Sequence, residues 1–219
     1  MKSKEASSRG SSPRRYDSSR RKAQAEERQR RVLEAATELF LEQGYGGTSI
    51  DQIARAADVS PQSVYANFEN KAGILEGAIN LARAGDPRGR GRDLPENIAA
   101  HQAPDLRQRC DLAAAVARRM YEDSAALIAI VERASAVDPQ LADLHDRFRV
   151  QRRDSMEQMN AHLPAKAFRK GVTRADALDT MTFLAAAHTY TELVEGLGWT
   201  PAHYETWLAD ALYQVLFAD

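Results

Sequence analysis

Residues 51–71 read DQIARAADVSPQSVYANFENK, and this stretch narrows the possible folds more than any other. It holds two short helical patterns with only DVSP between them. Ile50, Ile53, Ala54 and Ala57 make the apolar stripe of the first. Ser60 caps the second, and Pro61 takes its first helical position, where a missing N–H is no loss. Val64 and Tyr65 are expected to face inward, and Phe68 closes the element. Helices this short are marginal alone. Val59, Val64 and Phe68 must therefore pack against Ile50, Ile53 and an earlier helix.

That earlier helix is expected from about Ala25 to Gln43. Val32, Ala35, Ala36, Leu39 and Phe40 recur there at helical spacing. Gly44 follows, suited to a left-handed cap. Thr48-Ser49-Ile50-Asp51 resembles a capping box with Thr48 as the cap. Lys71–Ala84 reads as a fourth helix, with Ile74, Leu75, Ala78, Ile79 and Ala82 on one face. A helix, a tight turn and a second helix, braced by a first, form the helix-turn-helix arrangement, whose second helix enters the DNA major groove. The start of that helix meets base edges, which here means Pro61, Gln62 and Ser63. Gln62 suits bidentate pairing with adenine.

From Ser60 to Phe68 this helix has no charge. Phosphate attraction must come from helix amino termini, from Lys71 and from the N-terminal arm. Residues 1–31 hold 11 Lys/Arg against 4 Asp/Glu, whereas residues 76–219 hold 17 against 21. A basic end on a mildly acidic body suggests a polyanion partner at that end, and a solubilising tail is the alternative. Residues 1–24, rich in Ser, Arg and Lys, are expected to form a disordered basic arm, with Arg14, Arg15, Arg20 and Arg21 as its DNA contacts.

Thr48-Ser49-Ile50, Ile53-Ala54, Ala57, Val59-Ser60, Val64-Tyr65, Asn67-Phe68 and Lys71-Ala72-Gly73-Ile74-Leu75 together resemble the N-terminal signature of the TetR family of bacterial transcriptional regulators. Ala35-Ala36, Leu39-Phe40 and Gly44-Tyr45 extend the likeness, which covers roughly residues 28–79. The resemblance implies that Ser49, Ser60, Pro61, Gln62 and Ser63 lie at or near DNA. It implies that Tyr65, Asn67 and Lys71 contact phosphates. Asn67 stands where His is more usual, and Ala57-Asp58 where Ala-Gly is; Asp58 tolerates left-handed backbone better than most residues.

Beyond residue 84 the pattern is helical throughout: Leu106–Tyr121, Ser124–Val137, Pro139 to about Leu163, Thr173–Leu197 and Pro201 onward, with a short turn near Glu96–Ala100. The Gly/Arg-rich stretch 85–92 reads as a solvated loop or an extra phosphate contact. The fold class is all-α: a three-helix helix-turn-helix domain at 25–70, then a helical ligand-sensing and dimerisation domain at 71–219. Leu184, Ala187, Thr191, Val194, Trp207, Leu208, Ala211 and Leu212 serve equally as core or interface on the residues alone. The resemblance implies an interface built from the last two long helices. It also implies a small-molecule pocket among the middle helices. Gln151 and Ser155 interrupt an apolar stripe of Leu141, Leu144, Phe148 and Met159. They are pocket candidates, as are Phe148, Tyr121 and His188.

The function expected is a ligand-responsive transcriptional regulator, a repressor that binds a palindromic operator as a homodimer and is released by a small organic effector. The alternatives are a sequence-tolerant architectural DNA binder and an activator without small-molecule sensing. No H-E-x-x-H, G-x-S-x-G or phosphate-loop pattern is present, so no enzyme, metal or cofactor is expected. The lone Cys110 reads as a small buried hydrophobe. No apolar run approaches the roughly 20 residues that span a bilayer, and the basic N-terminus lacks the apolar core of a secretory signal, so a cytoplasmic location is expected.

Overall fold

The computed structural model describes residues 14–85, 87 and 95–217, with side chains from Ser19 onward. Helix α1 runs Arg14–Gly47, interrupted at Gly44, whose φ of 70° and ψ of 173° make a positive-φ backbone open to glycine but not the left-handed helical cap expected there. It starts about eleven residues before the expected point. Packing periodicity marks only where a helix is covered. The extension holds Arg, Lys, Ala and Gln, which are good helix formers, and its side chains from Ser19 to Gln24 are exposed. An exposed i,i+4 pair, Lys22–Glu26 at 3.9 Å, lies along this extension.

Helices α2 (Ile50–Ala56), α3 (Pro61–Tyr65) and α4 (Lys71–Ala84) follow. Ser49, not Thr48, caps α2: its hydroxyl accepts from the Gln52 amide, and the Gln52 side chain answers the Ser49 amide at 2.7 Å. Thr48 is buried, and its hydroxyl donates back to the carbonyls of Gly44 (2.8 Å) and Leu39 (3.1 Å). A side chain that closes the end of α1 is not free to open α2. Asp58 has φ 53°, the left-handed residue of the α2–α3 turn. Ser60 and Pro61 open α3 as expected. Ile53, Val64, Ile74, Leu75 and Ile79 pack on Leu33, Ala36 and Phe40 of α1, all fully buried.

The larger bundle is α5 (Pro95–Gln102), α6 (Leu106–Ala134), α7 (Pro139–Asn160), α8 (Arg174–Leu184), α9 (Ala187–Tyr190) and α10 (Pro201–Leu216). Helix α6 is its hub and packs against α1, α4, α5, α7, α9 and α10. It is one helix where two were expected. Glu122 and Asp123 are simply solvent-facing, and Ser124 returns its hydroxyl to the Met120 carbonyl at 2.7 Å. The expected long helix 173–197 is instead broken. Ala185 (φ −90°, ψ 33°) and Ala186 (φ −93°, ψ 155°) leave helical geometry, and residues Thr191–Gly196 form a π-helical stretch. The buried Tyr121 hydroxyl donates to the Ala185 carbonyl at 2.8 Å, supplying the partner that the interrupted helix cannot. Among the described residues no helix is long and apolar enough to cross a membrane.

Candidate nucleic-acid interface and the cavity behind it

The capped, anchored α2–α3 pair leaves one face unused by the core. Ser49, Ser60, Pro61 and Gln62 are exposed; the Gln62 carbonyl accepts from the Ala66 N–H at 3.0 Å, and its side chain faces out from the core. Tyr65 corrects the expectation: it is 57% exposed, because its neighbour Val64 takes the inward position and a five-residue helix has only one buried stripe. Ser63 is half-buried and shares a 2.8 Å hydrogen bond with the Ser60 hydroxyl. The Asn67 amide nitrogen donates to the Ser63 carbonyl at 2.7 Å, so only its second N–H remains free for an anion. Arg20 and Arg21 are exposed on α1. The side chains of Arg14 and Arg15, and most of the Gly/Arg-rich loop, lie outside the described residues.

Lys71 departs most from its expected role. Its ammonium donates to the carbonyls of Tyr45 (2.6 Å) and Thr48 (2.9 Å), and it sits 4.1 Å from the centre of the Tyr45 ring. It clamps the start of α4 onto the α1–α2 corner, which leaves one N–H of the ammonium for any other acceptor. Desolvation lowers its pKa, while Asp138, at the start of α7, pulls the other way. Burial, with the Asp138 charge adding to it, pushes the Tyr45 hydroxyl up to about 12.

Helix α4 leads from this corner to a cavity of about 1030 Å³ between α4, α5, α6 and α7. Tyr121, Phe148, Gln151 and Ser155, four of the pocket candidates, line it. His188 does not: it is exposed beyond the break after α8 and packs on Phe183, ring centres 5.3 Å apart. The sequence reading missed Arg109, which is 5% exposed in the cavity wall. Its guanidinium donates to the carbonyls of His101 and Met159 and to the Asn160 side chain, so it caps the ends of α5 and α7. Two helix C-termini with their negative ends toward a cation are favourable neighbours. Burial, with Arg109 and His162 adding their charges, brings the His101 imidazole down to about 4, so it is neutral at pH 7. Cys110 is buried and its thiol is pushed up to about 12 by desolvation, so it stays protonated. Among the described residues no group of three or more His, Cys, Asp or Glu stands close enough to hold a metal.

Helix α10 closes another wall of the cavity with Leu212 and Leu216, and it sorts the residues of the mixed core-or-interface expectation by burial. Tyr204, Leu208, Leu212 and Leu216 recur every fourth residue and are buried in this chain's own core. Leu208, Leu212 and the buried Ala187 are therefore not available to a partner. Trp207, Ala211 and Val215 form the adjoining stripe, with Val215 43% exposed, and Thr191, Val194 and Leu184 stay partly open. Leu197 and Phe183, at 63% and 62%, are large exposed hydrophobics that the sequence did not single out.

Residues 32–78 match the model of the family described as bacterial regulatory proteins, tetR family. The curated regulator SrpR of Pseudomonas putida is 40% identical over 57 residues, 26% of this chain and 27% of its own length. HbdR of Aromatoleum sp. (strain CIB) is 52% identical over 50 residues, 23% of this chain and 22% of that protein. The match thus spans about a quarter of the curated relatives and lies on the helix-turn-helix region. The likeness in fold reaches further. NalD of Pseudomonas aeruginosa, described as the secondary repressor of the MexAB-OprM multidrug efflux pump, superposes with a TM-score of 0.67 at 24% identity, over 89% of this chain and 99% of NalD. The helix-turn-helix region, residues 32–78, is therefore similar to that of the tetR family, and it is carried on an all-helical fold like that of NalD.

Proposed function

We propose that this chain is a ligand-responsive transcriptional repressor that binds a palindromic operator as a homodimer and is released when a small organic molecule fills the cavity. One observation carries the reading: α4 belongs to both ends. Its first residue, Lys71, clamps the corner that orients α2 and α3, and Glu76, Asn80 and Arg83 further along it line the cavity. A ligand that prefers one placement of α4 would shift the population of reading-head placements by its difference in affinity.

In this reading residues 25–70 are the DNA-binding domain and residues 71–219 the sensing and dimerisation domain. Gln62 reads a base, with Ser49, Ser60, Pro61 and Ser63 beside it. Tyr65, Asn67, Arg20 and Arg21, together with Arg14 and Arg15, meet phosphates. Thr191, Val194, Trp207 and Ala211, with Leu184 at the margin, form the self-complementary surface. Repression is favoured by the family resemblance and by the described role of NalD, which shares the fold.

The test is selection of binding sites from random duplex DNA with the purified protein, repeated at several salt concentrations. The expected product is an inverted repeat with half-site centres roughly one helical turn or a multiple apart. Gln62→Ala should then cost about 1–3 kcal/mol on that repeat and relax one base position in each half-site. Recovery of no motif, with binding that simply collapses as salt rises, would instead identify a sequence-tolerant backbone binder and defeat the reading.

A further inference from the structure

The inward stripe of α7 runs Leu141, Leu144, Phe148, Arg152, Met156 and Met159 at helical spacing. Arg152 is a cation in the middle of an otherwise apolar face. It lines the cavity, and its Nε is buried with no hydrogen-bond partner among the described residues. A buried guanidinium donor without an acceptor is costly, and a protein seldom keeps one without a use for it.

The other arginines in the wall are already engaged. Arg147 pairs with Glu76 at 2.8 Å, and Arg119 with Glu96. Arg109 holds the helix ends described above. Arg83 lies 5.7 Å from the Phe148 ring centre. Of the lining carboxylates, Asp146 is 3.8 Å from Arg149 and Asp154 is exposed. Five arginines against three carboxylates line the cavity, and one carboxylate is taken by Arg147, so the free side of the balance is positive.

We infer that the molecule taken by this cavity is an amphipathic organic anion, its carboxylate or sulfonate accepting from Arg152 and its apolar body lying against Phe148, Met156, Met120 and Tyr121. This rests on reading the cavity as the effector site. Arg152 is half-buried overall, so what a neutral ligand without an acceptor would leave unpaired is its Nε donor, whereas an anion satisfies that donor with a charge-assisted hydrogen bond. The apolar residues of the stripe supply the shape and most of the burial.

Two fluorescent probes with the same body separate these contributions: 1-anilinonaphthalene-8-sulfonate and its uncharged analogue N-phenyl-1-naphthylamine. Each is titrated into the full chain and into Arg152→Met, which keeps the length and apolar character of the side chain. Arg152→Gln serves as a second variant, and far-UV circular dichroism checks that each is folded. The expected result is that the substitution weakens the sulfonate probe at least about tenfold and changes the neutral probe by less than about twofold. Equal small effects on both probes, with both still bound, would overturn the anion assignment and leave the cavity as a ligand site. Failure of the parent protein to bind either probe would overturn the assignment and the sensing role together.

Discussion

At the scale of single residues, the assignment that changes most is Lys71. Its position at the start of α4 suggests a phosphate contact. The structure shows an ammonium committed to two backbone carbonyls and a tyrosine face. The two roles differ measurably. Lys71→Met should lower stability by about 1–2 kcal/mol, the scale of a removed charge-assisted hydrogen bond. Operator binding should weaken with it, but the slope of log affinity against log salt should stay unchanged. A slope reduced by about one would mean that the lysine neutralises a phosphate after all. Arg152 and Arg109 make the complementary point. Nothing in their local sequence distinguishes them from the many surface arginines of this chain, and their burial exists only once α5, α6 and α7 are assembled.

At the scale of elements, caps and breaks have different origins. Ser60-Pro61, Asp138-Pro139 and Thr200-Pro201 open α3, α7 and α10 where their chemistry suggests, because a cap hydrogen bond is made within three residues. The interruption after α8 has no such local signal: its residues are Ala185-Ala186-Ala187, excellent helix formers. It is held in part by Tyr121, 64 positions away, and no reading of short-range propensity would find it. The packing of α4 on α1 is a third kind of case. A Cβ added to Gly77 would come within 2.9 Å of Leu33 Cδ2 and 3.2 Å of Phe68 Cε1, so the helices approach closely only because that side chain is missing. Gly77→Val should cost about 1–3 kcal/mol by overpacking, read as a lower urea midpoint. Leu33→Ala in the same chain should return part of that loss, so the double variant should be more stable than the two single costs added together. Strict additivity would place the strain elsewhere.

At the scale of the whole molecule, the two stripes of α10 allow the fold and the proposed dimer to be tested separately. Leu208→Ala, in the fully buried stripe, should destabilise the protein by about 2–5 kcal/mol through the cavity it leaves. Trp207→Asp, on the accessible stripe, should leave the far-UV spectrum unchanged and convert a dimer to a monomer in sedimentation velocity. A dimer that survives the change would remove α10 from the interface. The helical class, the paired short helices, their turn at Asp58 and the buried stripes of α1, α2 and α4 are legible in the order of residues alone. Those features rest on contacts and backbone preferences within a few residues, or on a periodicity that one face alone produces. Packing is needed to tell which stripe of α10 is core, that α8 stops at Leu184, that Lys71 is a clamp, and that the Arg152 Nε lies in a cavity wall unpaired among the described residues. Each of these depends on which distant surface arrives opposite a side chain, and hydrophobic burial, being non-directional, does not encode that in local sequence.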